Sequence, residues 1–346
     1  MKTPEEQSLK VSVFGSGAWG TAIALLLQDN GHVVTLWSRF EQEAEEIRRS
    51  RESPLLKGVK IPDEINVVTS IEEATIGVGA AIIAVPSFAV RETTDELAGW
   101  IDESCDVICM SKGIEKDTSS LFTTILRETL GEGISVASVS GPTHAEEVAR
   151  RVPTACVAAS EDIHAAERVQ GLLMNENFRV YTSTDVVGVE LGAALKNVIA
   201  LAAGICDGQG LGDNTQATLM TRGLAEMAKL SVAMGGRKET LAGLAGLGDL
   251  IVTCMSRHSR NRRAGVLIGQ GMPAEKALVE VGAVVEGYYA AKAAKELAEK
   301  VGVDMPICTE AYKVLFESKL PSDAISDLMS RQRKSEDSTG EERWVI

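Results

Sequence analysis

Apolar residues in the first half of the chain fall in short continuous runs, while in the second half they recur at helical spacing. Runs rich in β-branched residues at 11–14, 33–37, 80–85, 106–110 and 134–139 read as strands. None alternates with polar positions, which is the pattern of strands covered by helices on both faces. Segments 20–30, 41–50, 88–98 and 118–130 read as the intervening helices, and strands at 154–159 and 178–182 flank another helix at 162–173. This alternation predicts an α/β fold built on a doubly wound sheet. After about residue 185 strand-like runs nearly vanish, and helical patterns follow at 186–206, 213–235, 274–281, 287–301 and 307–317. The expected organisation is therefore an N-terminal sheet domain (1–188), a mainly α-helical C-terminal domain (189–330) and a polar tail (331–346).

The first turn of the chain sharpens this reading. Gly15-Ser-Gly17-Ala18-Trp19-Gly20 follows a strand and opens a helix of small residues. In that context Gly15 permits the tight turn, Gly17 lets backbone approach a pyrophosphate, and Gly20 allows helix and strand to pack closely. The free N–H groups of the helix start then face the phosphates. The N-terminal domain is thus expected to be of Rossmann type and to bind a dinucleotide. An acid at the end of the second strand would suit the ribose of NAD, and an arginine the 2′-phosphate of NADP. Here the strand runs into Ser38 and Arg39, with no acid before Glu41, which favours NADP(H). If Arg39 only caps a solvent-exposed loop, NAD(H) is equally acceptable.

Charge changes the picture locally. With 49 Asp and Glu against 35 Lys and Arg, the net charge of −14 argues against nucleic acid or an anionic membrane as partner. Yet residues 257–263 hold four arginines: Arg257, Arg260, Arg262 and Arg263. Fork-shaped cations gathered in an acidic protein suit a small anion such as phosphate, although charge runs are commonly just solvated. The six cysteines form no CxxC pair and lie mostly in apolar segments, the usage of reduced, buried thiols in a cytoplasmic protein. The apolar stretch 186–206 carries Glu190 and Lys196 and reads as a buried core helix rather than a membrane span. The four histidines are scattered, and no metal set is expected.

Several polar residues stand where chemistry could occur. Lys196 lies among small residues on the 186–206 helix, beside Asn197, which could meet a substrate oxygen. The amine either snorkels to water or points into a cleft, where desolvation lowers its pKa and suits it to proton transfer. Lys112 follows the 106–110 strand, at the carboxyl edge where such sheets place ligands, or it is a surface lysine. Gly141-Pro-Thr143-His144-Ala145 ends another strand and starts a helix. His144 there could act as a base or simply pack. Asp249, between Gly248 and an apolar run, either pairs with a structural cation or orients a catalytic lysine.

Together these motifs resemble the bacterial-type NAD(P)-dependent sn-glycerol-3-phosphate dehydrogenases. The resemblance runs from about residue 9 to 330. It rests on GSGAWGTA (15–22), SKGIE (111–115), SGPTHAEEVA (140–149), ELGAALKNVIA (190–200), GLGDLIVTCMSRHSRN (246–261) and Val284-Val-Glu286-Gly287. It implies reduction of dihydroxyacetone phosphate to sn-glycerol 3-phosphate, a phospholipid precursor, by a homodimer. Carried over by position, Lys196 is the general acid/base, Lys112 holds the substrate and stabilises charge, and Asp249 orients the amine or binds a hydroxyl. Gly141, Thr143, Ser259, Arg260 and Asn261 would contact substrate, with Arg260 and Lys112 also reaching the cofactor. Trp19, Arg39, Ala145, Val284 and Glu286 would line the nucleotide. Ala18 stands where some members carry serine, so that point offers no hydroxyl. Two other readings compete. One is a dehydrogenase for a carboxylate substrate, 3-hydroxyacyl or ketopantoate-like, which needs a single arginine rather than a cluster. The other is a nucleotide sensor without catalysis.

Overall fold

The computed structural model describes residues 8–333. The part of the expected tail from 334 onward lies outside the described residues. The N-terminal half contains β1 (Lys10–Phe14), α1 (Ala18–Asp29), β2 (Val33–Trp37), α2 (Glu41–Ser50), β3 (Asn66–Val68), α3 (Ile71–Thr75), β4 (Ala80–Ile83) and, after a short 3-10 turn, α4 (Val90–Leu97). There follow β5 (Asp106–Cys109), α5 (Phe122–Leu130), β6 (Ser135–Ser140), α6 (Ala145–Val148), β7 (Thr154–Ala159), α7 (Ile163–Leu173) and β8 (Phe178–Ser183). These strands form one eight-stranded sheet in the order β3-β2-β1-β4-β5-β6-β7-β8.

The sheet departs from the expected pattern in two places. Strand β3 was not foreseen, because three residues with two apolar side chains carry almost no periodic signal. It closes the edge beside β2, pairing Leu36 with Val67. Strand β7 runs antiparallel to β6, while its partner β8 is parallel to it. The connection explains this. A four-residue α6 rises only ~6 Å. It therefore cannot carry the chain back along a six-residue strand, which spans ~20 Å. Eleven residues of α7 suffice for the following crossover.

The C-terminal half is helical: α8 (Val186–Gly208), α9 (Asp213–Ala233), α10 (Lys238–Leu241), a π turn at Leu244–Gly248, α11 (Asp249–Met255), α12 (Arg260–Gly269), α13 (Ala274–Val281), α14 (Glu286–Val301), α15 (Pro306–Phe316) and α16 (Pro321–Met329). Helices α10 to α12 escaped the sequence pattern because glycines and arginines interrupt any apolar stripe there. Helix α8 is the axis of this half. It is long and apolar enough to cross a membrane, but 94% of its most apolar stretch is buried inside the protein. Backbone presses against backbone where it crosses α12. A Cβ on Gly204 would lie 2.1 Å from the Arg262 carbonyl oxygen, and one on Gly265 2.1 Å from that of Leu201. The glycines thus let α12 approach α8 closely, bringing residues 259–261 toward Lys196 and Asn197. Helix α8 begins directly after β8, so the expected boundary at 188 falls inside an unbroken helix. All six cysteines are buried without disulfides.

Candidate active site

The polar centre of the molecule is a carboxylate held between two lysines. Asp249 is the first residue of α11, and its side chain is 2% exposed. Its Oδ1 accepts from Lys196 Nζ at 2.6 Å, and its Oδ2 accepts from Lys112 Nζ at 2.8 Å. Lys196 also donates to Thr253 Oγ1 at 2.8 Å, and Thr253, one turn beyond Asp249, donates in turn to the Asp249 carbonyl at 2.6 Å. Lys112, in the loop after β5, donates further to the Gly141 carbonyl at 2.9 Å and to Thr143 Oγ1 at 3.2 Å. Residues of the β5 and β6 loops therefore meet residues of α8 and α11 in one cluster.

Burial and charge set its proton affinities. Burial pushes the Lys196 ammonium down to about 8, opposed by Asp249 and reinforced by Lys112. Burial alone would raise the Asp249 carboxyl, but the Lys112 and Lys196 cations outweigh it and hold it below the usual carboxylate range. The neighbouring His144 is also lowered, first by burial and then by Lys196 and Lys112. Its Nε2 is buried and finds no partner among the described residues. The cluster thus combines a neutral imidazole, a firm carboxylate and an ammonium able to release its proton near neutral pH.

A glycine turn follows β1 at the same carboxyl edge of the sheet. Gly15 adopts φ +121°, and a Cβ there would lie 2.7 Å from the Ala84 carbonyl oxygen. A Cβ on Gly20 would lie 1.8 Å from the carbonyl oxygen of Gly15, whereas one on Gly17 would meet nothing within 4 Å. The turn is thus closed on the protein side and open at Gly17, leaving backbone accessible at the start of α1. Trp19 adds a buried indole N–H with no partner among the described residues. These are features of a cradle that fits the pyrophosphate of a dinucleotide.

Two family models match the chain. The NAD-dependent glycerol-3-phosphate dehydrogenase N-terminus covers residues 10–166, and the C-terminus model of the same dehydrogenase covers residues 185–326. A glycerol-3-phosphate dehydrogenase (NAD(P)+) from Thermoanaerobacter sp. (strain X514) is 50% identical over 95% of this chain and 99% of its own. One from Agathobacter rectalis is also 50% identical, over 95% and 98% of the two chains. Among solved structures, glycerol-3-phosphate dehydrogenase from Coxiella burnetii superposes with a TM-score of 0.91 at 36% identity, covering 94% of this chain and 99% of its own. The chain belongs to the NAD-dependent glycerol-3-phosphate dehydrogenase family.

Membership makes this chain an oxidoreductase that works with a nicotinamide dinucleotide. The remaining residues singled out in the sequence are held in different ways. Ser259 is buried and caps α12, accepting from the Arg262 amide at 3.2 Å. Asn197 Oδ1 accepts from Asn261 Nδ2 at 2.9 Å, and Asn261 Oδ1 accepts from the Gly287 amide at 2.8 Å. The two asparagines therefore tie α8, α12 and α14 together. Glu286, at the start of α14, accepts from the Ser87 amide at 3.2 Å, and burial raises its carboxyl. Ala145 is buried at the head of α6, and Val284 lies half-buried two residues before Glu286.

The arginine cluster does not act as one unit. Arg262 pairs with Asp207 at 2.5 Å, while Arg257, Arg260 and Arg263 are exposed. Arg39 differs most from expectation. Read as open to a 2′-phosphate, its guanidinium instead donates to Glu96 at 2.6 Å and to Glu92 at 2.5 Å. Both acids lie more than fifty positions ahead on α4, beyond the reach of any local pattern. Thr253 was also missed, because α11, which brings it one turn beyond Asp249, was itself not read from the sequence.

Proposed function

We propose that the chain reduces dihydroxyacetone phosphate to sn-glycerol 3-phosphate with NADH or NADPH, and that Lys196 is the proton donor. The observation that carries this is the buried Lys196–Asp249–Lys112 cluster beside an open glycine turn. When bound, the dihydronicotinamide supplies the hydride for C2 of the ketone. Lys196 delivers a proton to the C2 oxygen as negative charge grows there, and its lowered pKa suits the transfer near neutral pH. Lys112 stabilises the same charge from the other side of Asp249. Asp249 holds both ammoniums in place and keeps the cluster's net charge at plus one when all three groups are ionised. Gly141, Thr143, Asn197, Ser259 and Asn261 form the walls around the substrate. Exposed Arg260 makes no ion pair among the described residues and can face both the phosphate and the cofactor.

The same reading places the dinucleotide on Gly15, Gly17, Ala18, Trp19 and Gly20, with Ala145, Val284 and Glu286 along its path. It divides the chain into a dinucleotide part (1–188) and a substrate part (189–330) within a cytoplasmic homodimer that feeds glycerophospholipid synthesis. Arg39 supports NADPH over NADH, and its two glutamate partners oppose that preference. Steady-state oxidation of NADH and NADPH with dihydroxyacetone phosphate, ketopantoate and a 3-oxoacyl substrate tests the reading. Turnover is expected with the phosphorylated ketone alone. No turnover with it, or faster turnover of a carboxylate ketone, would refute the assignment.

A further inference from the structure

We infer that Glu92 and Glu96 set the choice between the two nicotinamide dinucleotides, by occupying the Arg39 guanidinium that a 2′-phosphate requires. The inference rests on the dinucleotide reading above and concerns residues that lie outside every motif of the chain.

Arg39 stands two residues beyond the end of β2, at the sheet edge where this fold class reads the adenosine ribose. Glu92 and Glu96 lie one helical turn apart on the same face of α4. Each takes a different nitrogen of the guanidinium, Nη2 to Glu92 Oε1 at 2.5 Å and Nη1 to Glu96 Oε1 at 2.6 Å. Two other arginines of this part of the chain are themselves paired among the described residues. Arg48 is paired with Glu41, and Arg91 is held by Glu115 at 2.7 Å and by Glu128 at 2.9 Å. Ser38, next to Arg39, donates to Glu43 at 3.1 Å. Asp95 and Glu115 line the same surface groove as Glu92 and Glu96.

A 2′-phosphate arriving at this edge brings close to two negative charges to a place where one guanidinium already serves two carboxylates. It must displace both glutamates from the arginine to gain its own charge-assisted hydrogen bonds, so much of that gain is lost in breaking theirs. The neutral 2′-hydroxyl of NADH meets no such opposition. Because the three side chains are 37% to 61% exposed, the ion pairs can exchange. The glutamates therefore act as a graded handicap on NADPH rather than as a block.

The test is a fluorescence titration of reduced nicotinamide on the full chain, with NADH and NADPH, for the wild type and a Glu92→Gln/Glu96→Gln double variant. The same pair of measurements is repeated in an Arg39→Ala background. In the double variant the Kd for NADPH is expected to fall about tenfold, while that for NADH stays within about twofold. In the Arg39→Ala background the glutamate changes should no longer discriminate between the cofactors. An equal shift for both cofactors, no shift, or a NADPH-specific gain that survives loss of Arg39 would overturn the inference. NADH binding reports that each variant is folded. A wild type that binds neither dinucleotide would refute the functional reading itself, whereas one that binds both and ignores the glutamates refutes only this inference.

Discussion

Asp249 accepts one lysine on each carboxylate oxygen, and this sharing helps set the proton affinity on which the proposed chemistry depends. Burial favours the neutral amine of Lys196, the carboxylate favours the ammonium, and Lys112 opposes it. The balance lies at about 8, so Lys196 is protonated below that pH and can donate in the direction of ketone reduction. Reduction should therefore decline as pH rises through about 8, and the reverse oxidation should decline as pH falls through it. Replacing Asp249 by Asn removes the main support of the ammonium, leaving burial and Lys112, which lower its pKa, against the weaker support of Cys254. The alkaline limb of kcat for reduction should move to lower pH in Asp249→Asn, as measured by a kcat profile from pH 6 to 10. A limb that stays in place would mean that Asp249 does not control the lysine. All three residues were recognisable from their sequence settings, yet their pairing was not. Lys112 and Asp249 lie 137 positions apart, and only the folded chain decides whether such residues face each other. Arg39 shows the opposite outcome, since a local motif advertised a free cation and distant acids claimed it.

At the scale of elements, two helices begin without a capping side chain of their own and borrow one from elsewhere. The start of α5 is held by Glu190 of α8, which accepts from the Thr123 amide at 3.2 Å and from Thr123 Oγ1 at 2.7 Å. The start of α15 is held by Glu226 of α9, which accepts from the Ile307 amide at 2.9 Å and the Cys308 amide at 3.3 Å. These satisfy orphan N–H groups, at the cost of carboxyls in the interior. Burial pushes both carboxyls up to about 7, against the hydrogen bonds they accept. Between about pH 4.5 and 7 the folded chain then holds protons that the unfolded chain has released, so stability falls as pH rises across that window. The loss is on the order of 3 kcal/mol per group and levels off above the folded-state pKa. Glu190→Gln and Glu226→Gln should each gain stability relative to the wild type between pH 5 and 8, followed by urea unfolding at both pH values. A constant difference from the wild type would contradict the buried-carboxyl account. The periodic helices and strands were readable because their core faces repeat along the chain. Strand β3, the antiparallel direction of β7 and helices α10 to α12 were not, because they depend on connection length and on glycine contacts with α8.

Over the whole molecule, the proposed function depends on the meeting of two regions that the sequence presents separately. Lys112, Gly141 and Thr143 arrive from the carboxyl edge of the sheet, while Lys196, Asp249 and Thr253 arrive from the helical half. The net charge of −14 would repel a phosphorylated ketone at long range, so in the proposed reading capture relies on these local cations and on the exposed arginine at 260. The division into two regions was legible from the change of periodicity near residue 185. The cluster where they meet was not, since no local pattern encodes which loops face which helix. The central claim is that Lys196 in this cluster protonates the ketone reduced by the dinucleotide. Its most direct test is the turnover of dihydroxyacetone phosphate by a Lys196→Met variant, with dinucleotide Kd measured on the same preparation. The account predicts that kcat falls by about 10²-fold or more while the Kd changes little; turnover within a few-fold of the wild type, with the dinucleotide bound normally, would contradict it.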